Sequence, residues 1–310
     1  MNEGDAREIY RRHRPEAFDQ IVGQEAAIET LKRSGKLPSS LLFSGPSGCG
    51  KTTIVRILKN ELGCSDVDFV EMNAANDRGI ETIREVQYNC HAMPLDGDCR
   101  IYLLDEAHQL TFPAQEALLK ILEDTPAHVY FMLCTTNPAK LKKAIHTRCM
   151  HIQLKALSDA EVKEVLKEAC KLENIKLTRE VGLSIVEAAE GSARQALVLL
   201  QTVQGIENED LQLEAIAQGN APDEVKKLCQ LLLKRAEWSS IISVLRQITG
   251  EPEYTRQMIC GYMAAVLMKK PDVQAYRVID SFSDPFYVSG KAKLLAACYE
   301  SIYLEEPNDF

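Results

Sequence analysis

The apolar positions of this chain follow two regimes. Up to about residue 155, short strand-like stretches rich in apolar residues alternate with helix-period stretches; beyond it only helical periodicity is left. The runs at 41–43, 69–72, 100–104, 129–134 and 150–154 end in polar residues, the pattern of strands in a parallel sheet covered on both faces. Between them, 25–33, 53–58 and 80–89 read as helices, the last with Asn76 or Asp77 as its predicted cap. Pro113 marks the first turn of another, in which Leu118, Leu119, Ile121 and Leu122 form the buried stripe and Lys120 points outward. Ser158 and Glu161 make a capping box ahead of a helix with Val162, Val165, Leu166 and Ala169 on one face. Further helices follow Thr178, open at Gly191-Ser192, and recur around 225–234, 239–248, 254–269, 273–282 and 291–303. Gly219-Asn220-Ala221-Pro222-Asp223 combines a glycine, a proline and a cap, and marks a domain boundary. The predicted class is α/β followed by all-α.

One stretch carries chemistry outright. Gly45-Pro46-Ser47-Gly48-Cys49-Gly50-Lys51-Thr52, with Thr53 opening the following helix, fits the phosphate-binding loop G-x-x-x-x-G-K-[ST]. It stands between a strand and a helix, the context the motif requires. Its glycines let the backbone wrap an anion, so that N–H groups and the helix N-terminus converge on phosphates. Lys51 is placed to reach the outer phosphates and Thr52 to hold Mg²⁺. The later strand 100–104 delivers Asp105 and Glu106 to its C-terminal end, where ligands bind in open α/β sheets. Asp105 is expected to help hold Mg²⁺, through water, and Glu106 to orient and deprotonate an attacking water. His108 reads as structural. Thr135-Thr136-Asn137-Pro138 brings further polar groups to the same edge.

Composition narrows the setting. With 310 residues the chain exceeds one domain at about 150 residues each. A net charge of −9 leaves no global positive field, so any nucleic-acid site must be a local patch. No apolar run approaches the roughly 20 residues of a membrane span, and the charged N-terminus is unlike a signal peptide. An intracellular, soluble protein without membrane contact is expected. The 10 cysteines are scattered without paired C-x-x-C spacing, which favours buried reduced thiols over zinc or disulfides.

Other basic residues are open to two readings on the sequence alone. The arm Tyr10-Arg11-Arg12-His13-Arg14-Pro15 is either a solvated tail or an ordered cover for a nucleotide base. Arg78 and Arg84 either bind a phosphate chain or make intrachain ion pairs. Arg148 is either a structural ion pair or an arginine supplied to a neighbour's phosphates.

In order along the chain, Arg14-Pro15, Val22-Gly23-Gln24, GPSGCGKTT, NAANDRGIETIRE, YLLDEAHQLT, ALLKILEDTP, TTNPAKL, TRC and GSARQAL resemble the AAA+ clamp-loader ATPases. These comprise the gamma/tau subunit of bacterial polymerase III and the small subunits of replication factor C. The likeness runs from Tyr10 to about Gln201; the mixture of bacterial and replication-factor-C features is compatible with a viral homologue. It implies an AAA+ P-loop core with a parallel sheet at 1–155, a small helical lid at 156–219 and a helical oligomerisation collar at 220–310. ATP and Mg²⁺ are the implied cofactors. Tyr10, Arg14 and Val22 match the arm that contacts nucleotide, Thr136 matches sensor 1, Arg194 sensor 2 and Arg148 the finger given in trans. Thr147 stands where the family usually has serine. Arg78, Arg84 and Lys120 fall in helices that track DNA. The bacterial four-cysteine zinc module is missing, only Cys64 lying between Lys51 and Asp68, so no zinc is expected. The implied partners are a sliding clamp, primer–template DNA contacted through its backbone, and sister subunits in a pentamer. The alternatives are another DNA-acting AAA+ ATPase, such as a branch-migration helicase or initiator, and an ATP-binding scaffold that does not hydrolyse.

Overall fold

The computed structural model describes residues 8–33, 37–220, 223–248, 252–286 and 290–303. Backbone contacts divide the chain into two compact units. One comprises Met1–Lys176 with Ala189–Val198, the other Leu177–Ala188 with Leu199–Phe310.

The first unit is built on five parallel strands: β1 (Ser40–Ser44), β2 (Phe69–Asn73), β3 (Arg100–Asp105), β4 (Val129–Thr135) and β5 (Met150–Gln153). Their order is β2-β3-β4-β1-β5. Parallel neighbours need crossovers, and helices supply them. These are α3 (Lys51–Glu61), α4 (Ile80–Asn89), α5 (Phe112–Glu123) and α6 (Lys143–Arg148), preceded by α1 (Ile9–Arg12) and α2 (Glu25–Arg33) and followed by α7 (Asp159–Leu172). The two-residue period of the strands sorts their apolar side chains. Leu42, Leu104, Phe131 and Leu133 pack on one face with Ile83, Val86, Leu118, Ile121 and Ile145 from α4, α5 and α6. Leu41, Phe43, Ile101, Leu103 and Met132 pack on the other with Ala27, Leu31, Ile54, Val55 and Leu58 from α2 and α3. Both faces are covered over the inner strands β3, β4 and β1, which are accordingly apolar through most of their length, whereas the edge strands β2 and β5 carry the exposed Glu71, His151 and Gln153. Each such side chain contributes about 1.5–3 kcal/mol on burial. The register then aligns the polar strand ends. Ser44 stands opposite Thr135 and Gln153, and Asn73 opposite Asp105.

Local signals fare unevenly. The capping box of α7 forms, with Ser158 N donating to Glu161 Oε2 at 2.6 Å and Glu161 N to Ser158 Oγ at 3.4 Å. Thr111 caps α5, and Pro113 sits in its first turn. The cap expected for α4 from Asn76 or Asp77 does not form. Both residues' N–H groups fold back onto the carbonyl of Asn73, each at 2.9 Å, and Gly79 becomes the cap without any side-chain bond. The turn leaving β2 absorbs the residues that the helix was expected to use.

The second unit is helical. Residues of α8 (Arg179–Ala189) and of α9 (Ala193–Val203) belong to it, with α10 (Glu209–Asn220), α11 (Asp223–Leu233), α12 (Trp238–Leu245), α13 (Pro252–Lys269), α14 (Val273–Ser281) and α15 (Gly290–Tyr303). Leu228, Leu232, Ile241, Ile259, Met263, Phe282 and Leu294 are among the side chains of its core. Of the sequence-based division at 155 and 219, the later boundary borders Ala221 and Pro222, which lie outside the described residues. No helix among the described residues is long and apolar enough to cross a membrane.

Candidate active site

From Ser44, the end of β1, the backbone turns through Gly45–Gly50 directly into α3. Gly50 is the N-cap of that helix at φ +102°, a left-handed conformation open to glycine at little cost. Gly48, at φ +73°, runs so close to the segment before α9 that a Cβ there would lie 2.0 Å from Ser192 Oγ. No side chain caps the first turn of α3, which leaves its N–H groups for an anion. Lys51 is 7% exposed. Its ammonium donates to the carbonyls of Gly45 at 2.9 Å and Pro46 at 2.8 Å, so the loop curls around its own lysine.

The two acids meet this loop from β3. Thr52 Oγ1 donates to Asp105 Oδ2 at 3.4 Å, and Asp105 Oδ1 accepts from Glu106 N at 2.9 Å. Glu106 takes the left-handed region at φ +49°, strain that a non-glycine residue carries only where its surroundings impose it. That turn aims its carboxylate at Thr136, whose hydroxyl donates to Oε2 at 3.1 Å. His108 Nδ1 lies 3.2 Å from the same oxygen and 3.1 Å from Thr135 Oγ1, with its side chain 8% exposed. On the sequence alone His108 reads as structural. Its place beside Glu106 depends on the backbone turn at 106, which no residue pattern announces.

A cavity of about 630 Å³, formed wholly within the first unit, brings these groups together. Its wall includes Ser47–Thr53, Asp105 and Glu106, with Tyr10, Arg14 and Val22 from the arm and Arg194 from α9. Gly45 and Pro46 meet the site through the Lys51 ammonium, and Thr136 through Glu106. The wall carries the cations Arg12, Arg14, Lys51 and Arg194 together with the carboxylates of Glu16, Asp105, Glu106 and Glu168. Burial pushes the Arg14 guanidinium below its usual range, and the positive charges of Arg56 and Arg194 push it further. The Arg194 guanidinium stands 5.1 Å over the Tyr10 ring. Burial raises the Cys49 thiol, leaving it inert beside the loop. Thr52 and Asp105 offer two hard oxygen donors side by side, a set that suits Mg²⁺ completed by water and phosphate oxygens. Among the described residues, no group of three or more His, Cys, Asp or Glu is placed to hold a metal ion.

The remaining candidates lie elsewhere on this unit. Arg148, in the last turn of α6, is not part of the cavity wall. It pairs with Glu123 and donates to the carbonyl of Ala144 at 3.1 Å, its side chain 31% exposed. Helices α4 and α5 bury Ile83 and Val86 beside Leu118 and Leu122, which turns Arg84 and Lys120 outward. Arg84 pairs with Glu81 at 2.9 Å, both exposed, and Arg78 is exposed just ahead of α4. Gln24 of the Val22-Gly23-Gln24 motif exchanges two hydrogen bonds with the backbone of Lys155, at 2.7 and 3.1 Å, pinning the arm to the end of β5.

In sequence and fold the chain is similar to known proteins. A family profile described as "DNA polymerase III, delta subunit" matches residues 64–158, and one described as "Rad17 P-loop domain" matches residues 2–93. DNA polymerase III subunit gamma of Buchnera aphidicola is 32% identical over 230 residues, which are 66% of this chain and 63% of that protein. DNA polymerase III subunit tau of Escherichia coli is 35% identical over 233 residues, 67% of this chain and 36% of that protein. The chain therefore spans between about a third and two thirds of the length of these relatives. Among solved structures, the RuvB Holliday junction branch migration motor of Thermotoga maritima superposes with a TM-score of 0.56 at 20% identity. That match covers 71% of this chain and 79% of the motor, and it shows the fold alone.

Proposed function

Since the chain is a homologue of the AAA+ clamp-loader subunits over two thirds of its length, we propose that it is an ATP-hydrolysing motor subunit of a sliding-clamp loader. The observation that carries this is the convergence of Lys51, Thr52, Asp105, Glu106 and, through Glu106, Thr136 on one cavity. In this reading the loop 45–53 cradles the phosphates of ATP, with Lys51 on the outer ones. Thr52 and Asp105 hold Mg²⁺, which when bound neutralises charge on the phosphates. Glu106 orients and deprotonates the attacking water, with Thr136 fixing its carboxylate. Tyr10, Arg14 and Val22 hold the nucleoside end, and Arg194 senses the phosphates.

Arg148 is the group lent to the neighbouring protomer's nucleotide. Its pairing with Glu123 is worth about 0–1 kcal/mol and its bond to the Ala144 carbonyl about 0.5–1.5 kcal/mol, so release for that role costs about 0.5–2.5 kcal/mol. Arg78, Arg84 and Lys120 meet the DNA backbone, which implies affinity falling with salt and little base readout. The three-part division at 155 and 219, a pentameric ring, and a clamp opened on primer–template DNA complete the proposal, which places the protein at a replication fork inside a cell. The test is ATP turnover with and without clamp and primer–template DNA, for the unmutated chain and for Lys51→Ala. Turnover stimulated by both and lost in Lys51→Ala is expected. Turnover that neither ligand stimulates refutes the clamp-loader motor, and nucleotide binding with no turnover under any condition leaves the scaffold.

A further inference from the structure

The arm that covers the cavity has little reason to be ordered on its own. Helix α1 has four residues, too few to be stable alone, and the closely spaced arginines at 11, 12 and 14 repel one another. Two of these basic side chains are nevertheless well covered: Arg12 is 25% exposed and His13 17%. Both turn to one carboxylate. Arg12 Nη2 donates to Glu173 Oε2 at 2.8 Å, and His13 Nε2 lies 2.5 Å from Oε1, so each oxygen of Glu173 takes one partner. Glu173 is itself only 14% exposed and is the C-cap residue of α7.

The clasp joins two walls of the same cavity. On the arm side Tyr10, Arg14 and Ile21 line it; on the α7 side Val165, Glu168 and Leu172 do. The chain breaks from helix at His13, with φ −98° and ψ 25°, and then meets Pro15. Arg12 and His13 therefore turn toward Glu173 while Arg14 joins the basic cluster with Arg56 and Arg194. A carboxylate that neutralises Arg12 and binds the His13 ring offsets the repulsion that this cluster would otherwise exert on the arm.

We propose that Glu173 is a positioning residue of the nucleotide site, clasping Arg12 and His13 so that Tyr10 and Arg14 are held over the cavity and the arm moves as one piece with α7. This rests on the reading of the cavity as the ATP site. Glu173 touches no reacting atom; it acts on how tightly nucleotide is held.

The experiment uses the full chain in its native assembly and a fluorescent ATP analogue as probe, with steady-state turnover alongside. Glu173→Ala raises the KM for ATP and weakens the analogue about tenfold, equivalent to 1.4 kcal/mol, while kcat falls less than about twofold. Glu173→Gln keeps the side-chain volume and shows a smaller loss of the same kind. In Arg12→Ala/Glu173→Ala the losses do not add, because both changes break one interaction. Analogue affinity unchanged in Glu173→Gln and Glu173→Ala, or losses that add in the double variant, overturns the clasp. Lys51→Ala separates the two levels: if it binds the analogue as the unmutated chain does, the cavity is not the ATP site and the premise itself fails.

Discussion

Gly48→Ala tests whether the loop and the start of α9 are packed as closely as the structure places them. Two costs are readable. An L-residue at φ +73° costs about 1–2 kcal/mol. The new Cβ would also sit 2.0 Å from Ser192 Oγ and 3.2 Å from the Cβ of Arg194, so Ser192 has to move. Ser192 Oγ accepts from Gln195 N at 3.2 Å at the start of α9, and losing such a cap costs about 0.5–2 kcal/mol. The sum is about 1.5–4 kcal/mol of local stability, with Arg194 displaced from the cavity. Urea unfolding of the first-unit signal and titration with an ATP analogue measure the two consequences, and affinity is expected to fall about tenfold or more. In Gly48→Ala/Ser192→Gly the clash with the hydroxyl is gone, so the double variant should lie below Ser192→Gly by the backbone cost alone. Gly48→Ala with stability unchanged and analogue affinity within twofold would falsify the close packing.

Other outcomes follow from the same geometry. Glu106→Gln should bind ATP as tightly as the unmutated chain and turn it over about 10²–10⁴ times more slowly, since a general base is lost and its volume kept; single-turnover kinetics decides. Arg148→Ala and Lys51→Ala chains, each inactive alone, should regain turnover when mixed, because one keeps the loop and the other the finger; a mixture as inactive as its parts removes the trans role. In the second unit, Glu253 accepts from Arg256 and from Phe286 N, and these bonds hold its pKa down to about 2 from 4.5. A depressed carboxylate contributes stability above its unfolded pKa, so helical signal should be lost as pH falls from about 4.5 towards 2, and Glu253→Gln should flatten that loss. Acid unfolding with the same midpoint in both proteins would exclude Glu253 as the cause. Arg84→Ala and Lys120→Ala should each reduce the salt dependence of DNA binding by about one phosphate contact.

Much of this molecule could be read before folding. Apolar runs ending in polar residues, the glycine spacing of 45–50 and the acids after the 100–104 run are local patterns with local causes, and they sufficed for the α/β core and for the loop facing Asp105 and Glu106. The alternation of Leu41, Leu42 and Phe43 between two faces follows from strand geometry alone. At the start of α4 the expected cap is not made, because a turn ties the backbone N–H groups of Asn76 and Asp77 to the carbonyl of Asn73 and leaves Gly79 at the cap position.

What remained for the tertiary structure was the choice of polar partners. Arg12 and His13 find Glu173 about 160 residues away, His108 finds Glu106 because the backbone is left-handed at Glu106, and His151 finds the hydroxyl of Ser44 at 2.7 Å across β1 and β5. Hydrophobic burial is non-directional and additive, so its periodic imprint on the chain is enough to say which face goes inside. A hydrogen bond or ion pair needs two particular groups within about 3 Å, and which two come that close is settled only when the packed backbones have taken their final positions.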